Sequence, residues 1–164
     1  MSSAGPGTIF GKRISEYLSF QKVVLALLAA VGLTRLVLSL AGVPANVVVW
    51  FSMNLVVWAG AVYYGIAAHR RAFGSYKQLL PLLFFQSVVF HAIAVLGILL
   101  TIGGLPNIYA APEYSGPAAS NQWLHALAHL TIGMIATTLI LWGVACLAML
   151  ISRKVAPRPA AAAA

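Results

Sequence analysis

Residues 79–103, LLPLLFFQSVVFHAIAVLGILLTIG, form an apolar run without a single charged side chain. As an α-helix rising ~1.5 Å per residue, this run is about 37 Å long and exceeds the ~30 Å hydrocarbon core of a bilayer. Three further apolar runs occupy 23–43, 47–68 and 123–151. We therefore predict an all-α integral membrane protein in which residues 1–164 form one antiparallel four-helix bundle.

The composition narrows the functions that such a bundle can have. Of the 164 residues, 62% are hydrophobic and 7% are charged. The two acidic residues are Glu16 and Glu113, so paired carboxylates for hydrolytic or di-metal chemistry are lacking. The single Cys146 has no partner for an intrachain disulfide. We expect a protein without enzymatic activity.

The basic residues report the topology of the chain. Apart from Arg35, they precede the first run, separate the second from the third or follow the fourth, whereas the connectors 42–46 and 104–122 contain no Lys or Arg. By the positive-inside rule, both termini face the cytoplasm. The net charge of +8 then reflects membrane orientation and does not indicate a nucleic-acid partner. We expect a multi-pass protein of the bacterial inner (cytoplasmic) membrane, surrounded by lipid.

Both ends of the chain extend beyond the predicted spans. Residues 8–21 place Ile14, Tyr17 and Leu18 at helical spacing, which predicts an interfacial amphipathic helix. Residues 155–164 lack an apolar stripe and are predicted to be a mobile tail. An alternative interpretation makes the first run a signal peptide with small residues near position 40, but Arg35 interrupts the run.

A few strongly polar residues lie inside the runs, where such side chains are costly and often functional. Counting ~1.5 Å per residue from the cytoplasmic end of each run puts Arg35, Asn54 and His91 at depths of about 20–22 Å. Thr137 falls at about 24 Å and is predicted to join this layer. His129 falls at about 36 Å and is predicted to lie too far out to reach it.

Arg35 stays charged at physiological pH, and a central Arg costs about 2.5–3.5 kcal/mol on insertion scales. The predicted spans contain no acid to balance it. One interpretation is structural: Arg35 caps helix carbonyls or extends its head to the interface. The functional hypothesis is an outward-opening cavity that binds a small anion, carbonyl compound or ion through Arg35, Asn54, His91, Thr137 and Glu113. In this hypothesis, the protein serves as a transport unit within a homo-oligomer.

Two alternative functions also fit the sequence. The first alternative is an accessory or structural subunit of a larger membrane complex. The second is a redox protein that carries haem or metal. A b-type haem between His91 and His129 conflicts with their predicted depth difference of about 15 Å. His125 and His129, spaced i and i+4, form with Glu113 a feasible but unspecified Zn or Cu site at the outer interface.

Cysteine labelling tests the predicted orientation in a Cys146→Ala background. With a membrane-impermeant maleimide on intact cells, we expect Ala118→Cys to react and Ser75→Cys to remain unlabelled until the membrane is permeabilised. Labelling of Ser75→Cys in intact cells would contradict the predicted topology, because Ser75 lies in the basic connector that is predicted to face the cytoplasm.

Overall fold

The computed structural model describes residues 7–116 and 120–156. Within them, four helical segments are long and apolar enough to cross a membrane. They are Ile14–Leu40, Ala45–Arg70, Tyr76–Ile102 and Gln122–Val155. The all-α four-helix fold is therefore confirmed. The predicted tail falls outside the described residues from position 157 onward.

The helices are preceded by a small hairpin and interrupted in two of the four spans. In chain order, the elements are β1 (Thr8–Ile9), β2 (Lys12–Arg13), α1 (Ile14–Leu40), α2 (Ala45–Val48), α3 (Met53–Arg70), α4 (Tyr76–Ile102), α5 (Pro112–Ser115), α6 (Gln122–Ala128) and α7 (Met134–Val155). A π-helical turn, His129–Gly133, joins α6 to α7 without a loop.

The N-terminal segment differs from the interfacial helix predicted over residues 8–21. Strands β1 and β2 pair antiparallel across a turn in which Phe10 and Gly11 have φ angles of 49° and 81°. These left-handed conformations cannot continue a right-handed helix. The hydroxyl of buried Tyr17 donates to the carbonyl of Ile9 at 2.8 Å and holds the hairpin against α1. Residues 14–21 are helical, but they are the first turns of the membrane span.

The second span is broken near one end. We call this the outer end, and the opposite end of the bundle the cytoplasmic end, after the topology that the sequence predicts. The short helix α2 ends at Val48, and the long helix α3 begins only at Met53. Its cap is Ser52, whose hydroxyl accepts a hydrogen bond from the Leu55 amide at 3.3 Å. The break brings irregular backbone to the outer half of the bundle, which is tolerated in a membrane where it lines a cavity.

Helix α7 packs against α3 and α4, and α1 packs against α4 and α3. The tightest approach is at Gly65, where an added Cβ would collide with the carbonyl oxygen of Ala145 and lie 2.8 Å from the Cβ of Ala148. At the cytoplasmic end, the Nε2 atom of His69 lies 3.0 Å from the carbonyl oxygen of Ala156. Small residues thus allow the helix backbones to approach closely, as expected in a membrane bundle.

Gly65→Ala should destabilise the bundle by about 1–3 kcal/mol, because its methyl group has no space against the α7 backbone. Gly143→Ala is the matched control, since a Cβ there meets nothing within 4 Å. Unfolding by SDS titration in mixed micelles measures both variants. Equal stability of the two variants would contradict the close α3–α7 contact.

Candidate functional site

Three of the four histidines form a hydrogen-bonded chain in the outer half of the bundle. The Nδ1 atoms of His91 and His129 are 2.8 Å apart, and the Nε2 atoms of His129 and His125 are 3.2 Å apart. The Nε2 atom of His91 lies 3.2 Å from the hydroxyl oxygen of Thr137. We call these four residues, in the order Thr137, His91, His129 and His125, the histidine chain.

The π-helical turn explains why two distant positions of the fourth span reach the same histidine of α4. Positions 129 and 137 are eight residues apart, which in a regular α-helix leaves them about 80° away from a common face. A π-helical turn accommodates one additional residue, so the rotation falls to about 700°, within about 20° of two full turns. His129 and Thr137 can therefore bond the two nitrogens of one His91 ring.

The prediction that His129 lies too far out to reach His91 was wrong. The indole Nε1 of Trp142 donates to the carbonyl of Tyr76 at 2.9 Å, and the guanidinium of Arg153 lies 4.5 Å from the centre of the Tyr76 ring. These two contacts place the start of α4 level with the middle of the α7 segment between residues 142 and 153. Arg153 lies about five residues, or ~8 Å, beyond that level, so a depth of His129 that is counted from Arg153 is too large.

A cavity of about 280 Å³, here called the outer cavity, lies beside the histidine chain. Its walls come from α1, the break between α2 and α3, α4, the outer connector and the fourth span. The lining residues are Arg35, Val49, Ser52, Met53, Asn54, Phe90, Ala94, Ile108, Tyr109, His125 and His129.

Arg35 supplies the fixed charge of the outer cavity. Its Nε atom is buried and has no hydrogen-bond partner among the described residues. The guanidinium carbon lies 5.4 Å from the centre of the Tyr109 ring, a distance at which a cation interacts with an aromatic face. Of the two acids, Glu16 pairs with Lys12 at 3.3 Å and Glu113 lines a different cavity. The charge of Arg35 therefore lacks an acidic partner in the described structure.

Tyr109 is the site residue that the sequence reasoning did not single out. Its hydroxyl donates to the carbonyl of Gly32 at 2.9 Å, which draws the outer connector between the helices. Burial raises the pKa of Tyr109 to about 12, and the nearby charge of Arg35 offsets part of this rise. The phenol thus stays neutral at physiological pH and cannot act as the counterion. The sequence offers one signal that could have identified Tyr109: Pro106 predicts a turn, and the apolar side chains of Ile108 and Tyr109 follow it.

The other predicted ligand residues are distributed over three places. Asn54 lines the outer cavity, although its side chain is largely exposed. His91 and Thr137 are absent from its lining and connect to it through His129. Glu113 lines a separate cavity of about 620 Å³ under the outer connector. The structure brings four of the five predicted residues to one region and leaves Glu113 apart.

The geometry bears on the predicted haem and metal sites. The His91 and His129 nitrogens are in direct hydrogen-bonding contact, so this arrangement leaves no space for iron between them. The 3.2 Å between the Nε2 atoms of His125 and His129 is close to the ~3.3 Å edge of a tetrahedron with Zn–N bonds of ~2.0–2.1 Å. The described residues contain no metal-ligating group of three, and Arg35 shares the cavity. Zinc or copper binding by this pair stays a prediction.

No protein-family model, curated protein or solved structure matches this chain. The function is therefore argued from the geometry of the site. The outer cavity combines a fixed positive charge, a mixed polar and apolar wall and two imidazoles that can exchange protons. This combination suits an anion better than a cation, because Arg35 repels positive charge.

Proposed function

We propose that this protein binds a small anion in the outer cavity and serves as a transport unit of the membrane. The unpaired charge of Arg35 carries the proposal, since among residues 7–116 and 120–156 its buried Nε atom has no hydrogen-bond partner and no carboxylate lines the outer cavity. A charge in this position is costly unless something compensates it. A bound anion supplies both the opposite charge and the missing acceptor.

The guanidinium group favours a planar anion. Its donors are arranged as a fork that binds two oxygens of one carboxylate at the same time. The remaining wall offers apolar contacts from Met53, Phe90 and Ile108. The cavity therefore suits a small organic carboxylate with its charged end at Arg35 and its apolar body against these side chains.

The predicted topology gives the binding site its direction. Because the connectors that close this end of the bundle lack Lys and Arg, the cavity opens toward the outside of the cell under the positive-inside rule. Four helices form a thin wall around a pathway, so we propose that transport requires a homo-oligomer. The accessory-subunit alternative differs from this proposal in what compensates the charge of Arg35, which would be a residue of another chain instead of a bound anion.

Thermal unfolding in detergent tests the proposed anion site with sodium benzoate, butyrate, chloride and phosphate. We expect benzoate or butyrate to raise the unfolding midpoint of the wild-type protein, since a ligand at 100 times its Kd stabilises by about 2.7 kcal/mol. Arg35→Leu should lose this shift without losing stability, because it removes an uncompensated charge.

Arg70→Leu is the matched control, because Arg70 is exposed at the cytoplasmic end of α3, away from the outer cavity. This variant should keep the wild-type shift. The proposal fails if no anion stabilises the wild-type protein, or if Arg35→Leu responds as strongly as the wild type does.

A further inference from the structure

We infer that the histidine chain holds one proton that binds together with the anion, so that the protein takes up a weak organic acid as carboxylate plus proton. The inference rests on the function proposed above and concerns the same site. It names the class of ligand, a small monocarboxylic acid, and assigns the proton to residues that the anion itself does not need.

The contacts of the chain fix how many protons it holds. Each of the two nitrogen–nitrogen contacts, His91 to His129 and His129 to His125, requires one hydrogen between the two nitrogens. Three neutral imidazoles carry three hydrogens on nitrogen, so the third occupies one end of the chain. It lies either on Nε2 of His91, facing Thr137, or on Nδ1 of His125.

An added proton fills the other end without breaking a contact. Both ends of the chain then carry a hydrogen: Nε2 of His91 donates to the hydroxyl oxygen of Thr137, and Nδ1 of His125 carries an N–H group. A further proton would put two hydrogens into one contact and force the rings apart. The geometry therefore has room for one added proton and no more.

The two ends of the chain belong to two different cavities. His125 lines the outer cavity, and its Nδ1 atom is buried without a hydrogen-bond partner. Thr137 lines a smaller cavity of about 140 Å³ together with Trp58. Asn54 lines both cavities. Because the hydrogens of the chain can shift together, a proton added at one end is available at the other.

Charge couples this proton to the anion. The titratable and charged residues that line the outer cavity together with His125 and His129 are Arg35 of α1, which is charged, and Tyr109 of the outer connector, which is neutral. Ser52 of the α2–α3 break and Asn54 of α3 contribute no titratable group. An empty cavity thus opposes a proton on the chain through the like charge of Arg35, and a bound carboxylate cancels that charge. By linkage, the proton must then strengthen carboxylate binding equally.

The uptake step is balanced. At pH 6–8 the acid is already ionised in solution, so it enters as the carboxylate and pairs with Arg35. The proton comes from the surrounding water: an O–H bond of hydronium breaks, its oxygen keeps the electron pair, and an N–H bond forms at the free end of the histidine chain. No electron transfer takes part, and the net charge of the site stays at one positive charge because the bound carboxylate and the added proton cancel.

Isothermal titration calorimetry of the full-length protein in detergent tests the inference with sodium benzoate, which is anionic throughout pH 6–8 as ordinary carboxylates are. Titration in buffers of different ionisation enthalpy counts the protons taken up with each benzoate. We expect the count to approach one, and the Kd to fall up to tenfold for each pH unit on acidification where the uptake is complete.

A variant with His91→Gln, His125→Gln and His129→Gln should bind benzoate without proton uptake and with a pH-independent Kd. His69→Gln is the matched control, because His69 is the fourth histidine and contacts Ala156 at the cytoplasmic end. It should keep the wild-type proton count. If the triple variant does not fold, the wild-type count still decides.

The outcomes separate the inference from the proposed function. Wild-type binding of benzoate with no buffer dependence and no pH dependence overturns the proton assignment and leaves the anion site standing. Proton uptake that persists in the folded triple variant also overturns it. Failure of every tested anion to bind at any pH overturns the proposed function itself.

Discussion

A polar group inside the hydrocarbon of a membrane must find its partner within the protein, because no water is available there. The outer half of this bundle obeys that constraint by folding its connector inward. The side chain of Asn107 donates to the carbonyl of Gly97 at 2.7 Å, and the amide of Ile108 donates to the hydroxyl of Ser39 at 2.8 Å. Tyr109 then reaches the carbonyl of Gly32. Beside these hydrogen-bonded groups, the buried Nε atom of Arg35 has no hydrogen-bond partner among the described residues, and this supports the anion site proposed above.

The cytoplasmic half supplies the rigid frame for this site. Apolar side chains that are almost fully buried fill the space between the helices there, among them Leu79, Leu82, Leu141 and Met149. The close α3–α7 contact at Gly65 adds backbone proximity. Because α7 is fixed at this end, the π-helical turn further along the fourth span can direct His129 and Thr137 toward His91. Packing in one half thus sets the geometry of the histidine chain in the other.

The sequence predicts the four spans well, since a run of more than 20 apolar residues has few other stable solutions. It also identifies Arg35 and Asn54, because both interrupt such runs at similar depth. It does not predict the contact of His91 with His129, which depends on a π-helical turn and on how far α7 extends past its neighbours. Neither feature leaves a hydrophobic pattern. The N-terminal hairpin was missed for a similar reason, because apolar spacing does not reveal the left-handed turn at Phe10 and Gly11.

Native mass spectrometry of the protein released from membranes shows directly what compensates Arg35 in the cell. We expect a bound small organic acid on the wild-type protein and its loss from Arg35→Leu. The same bound mass on Arg35→Leu would rule out the proposed anion site, as would a wild-type spectrum in which a different membrane protein, and no small molecule, accompanies the chain.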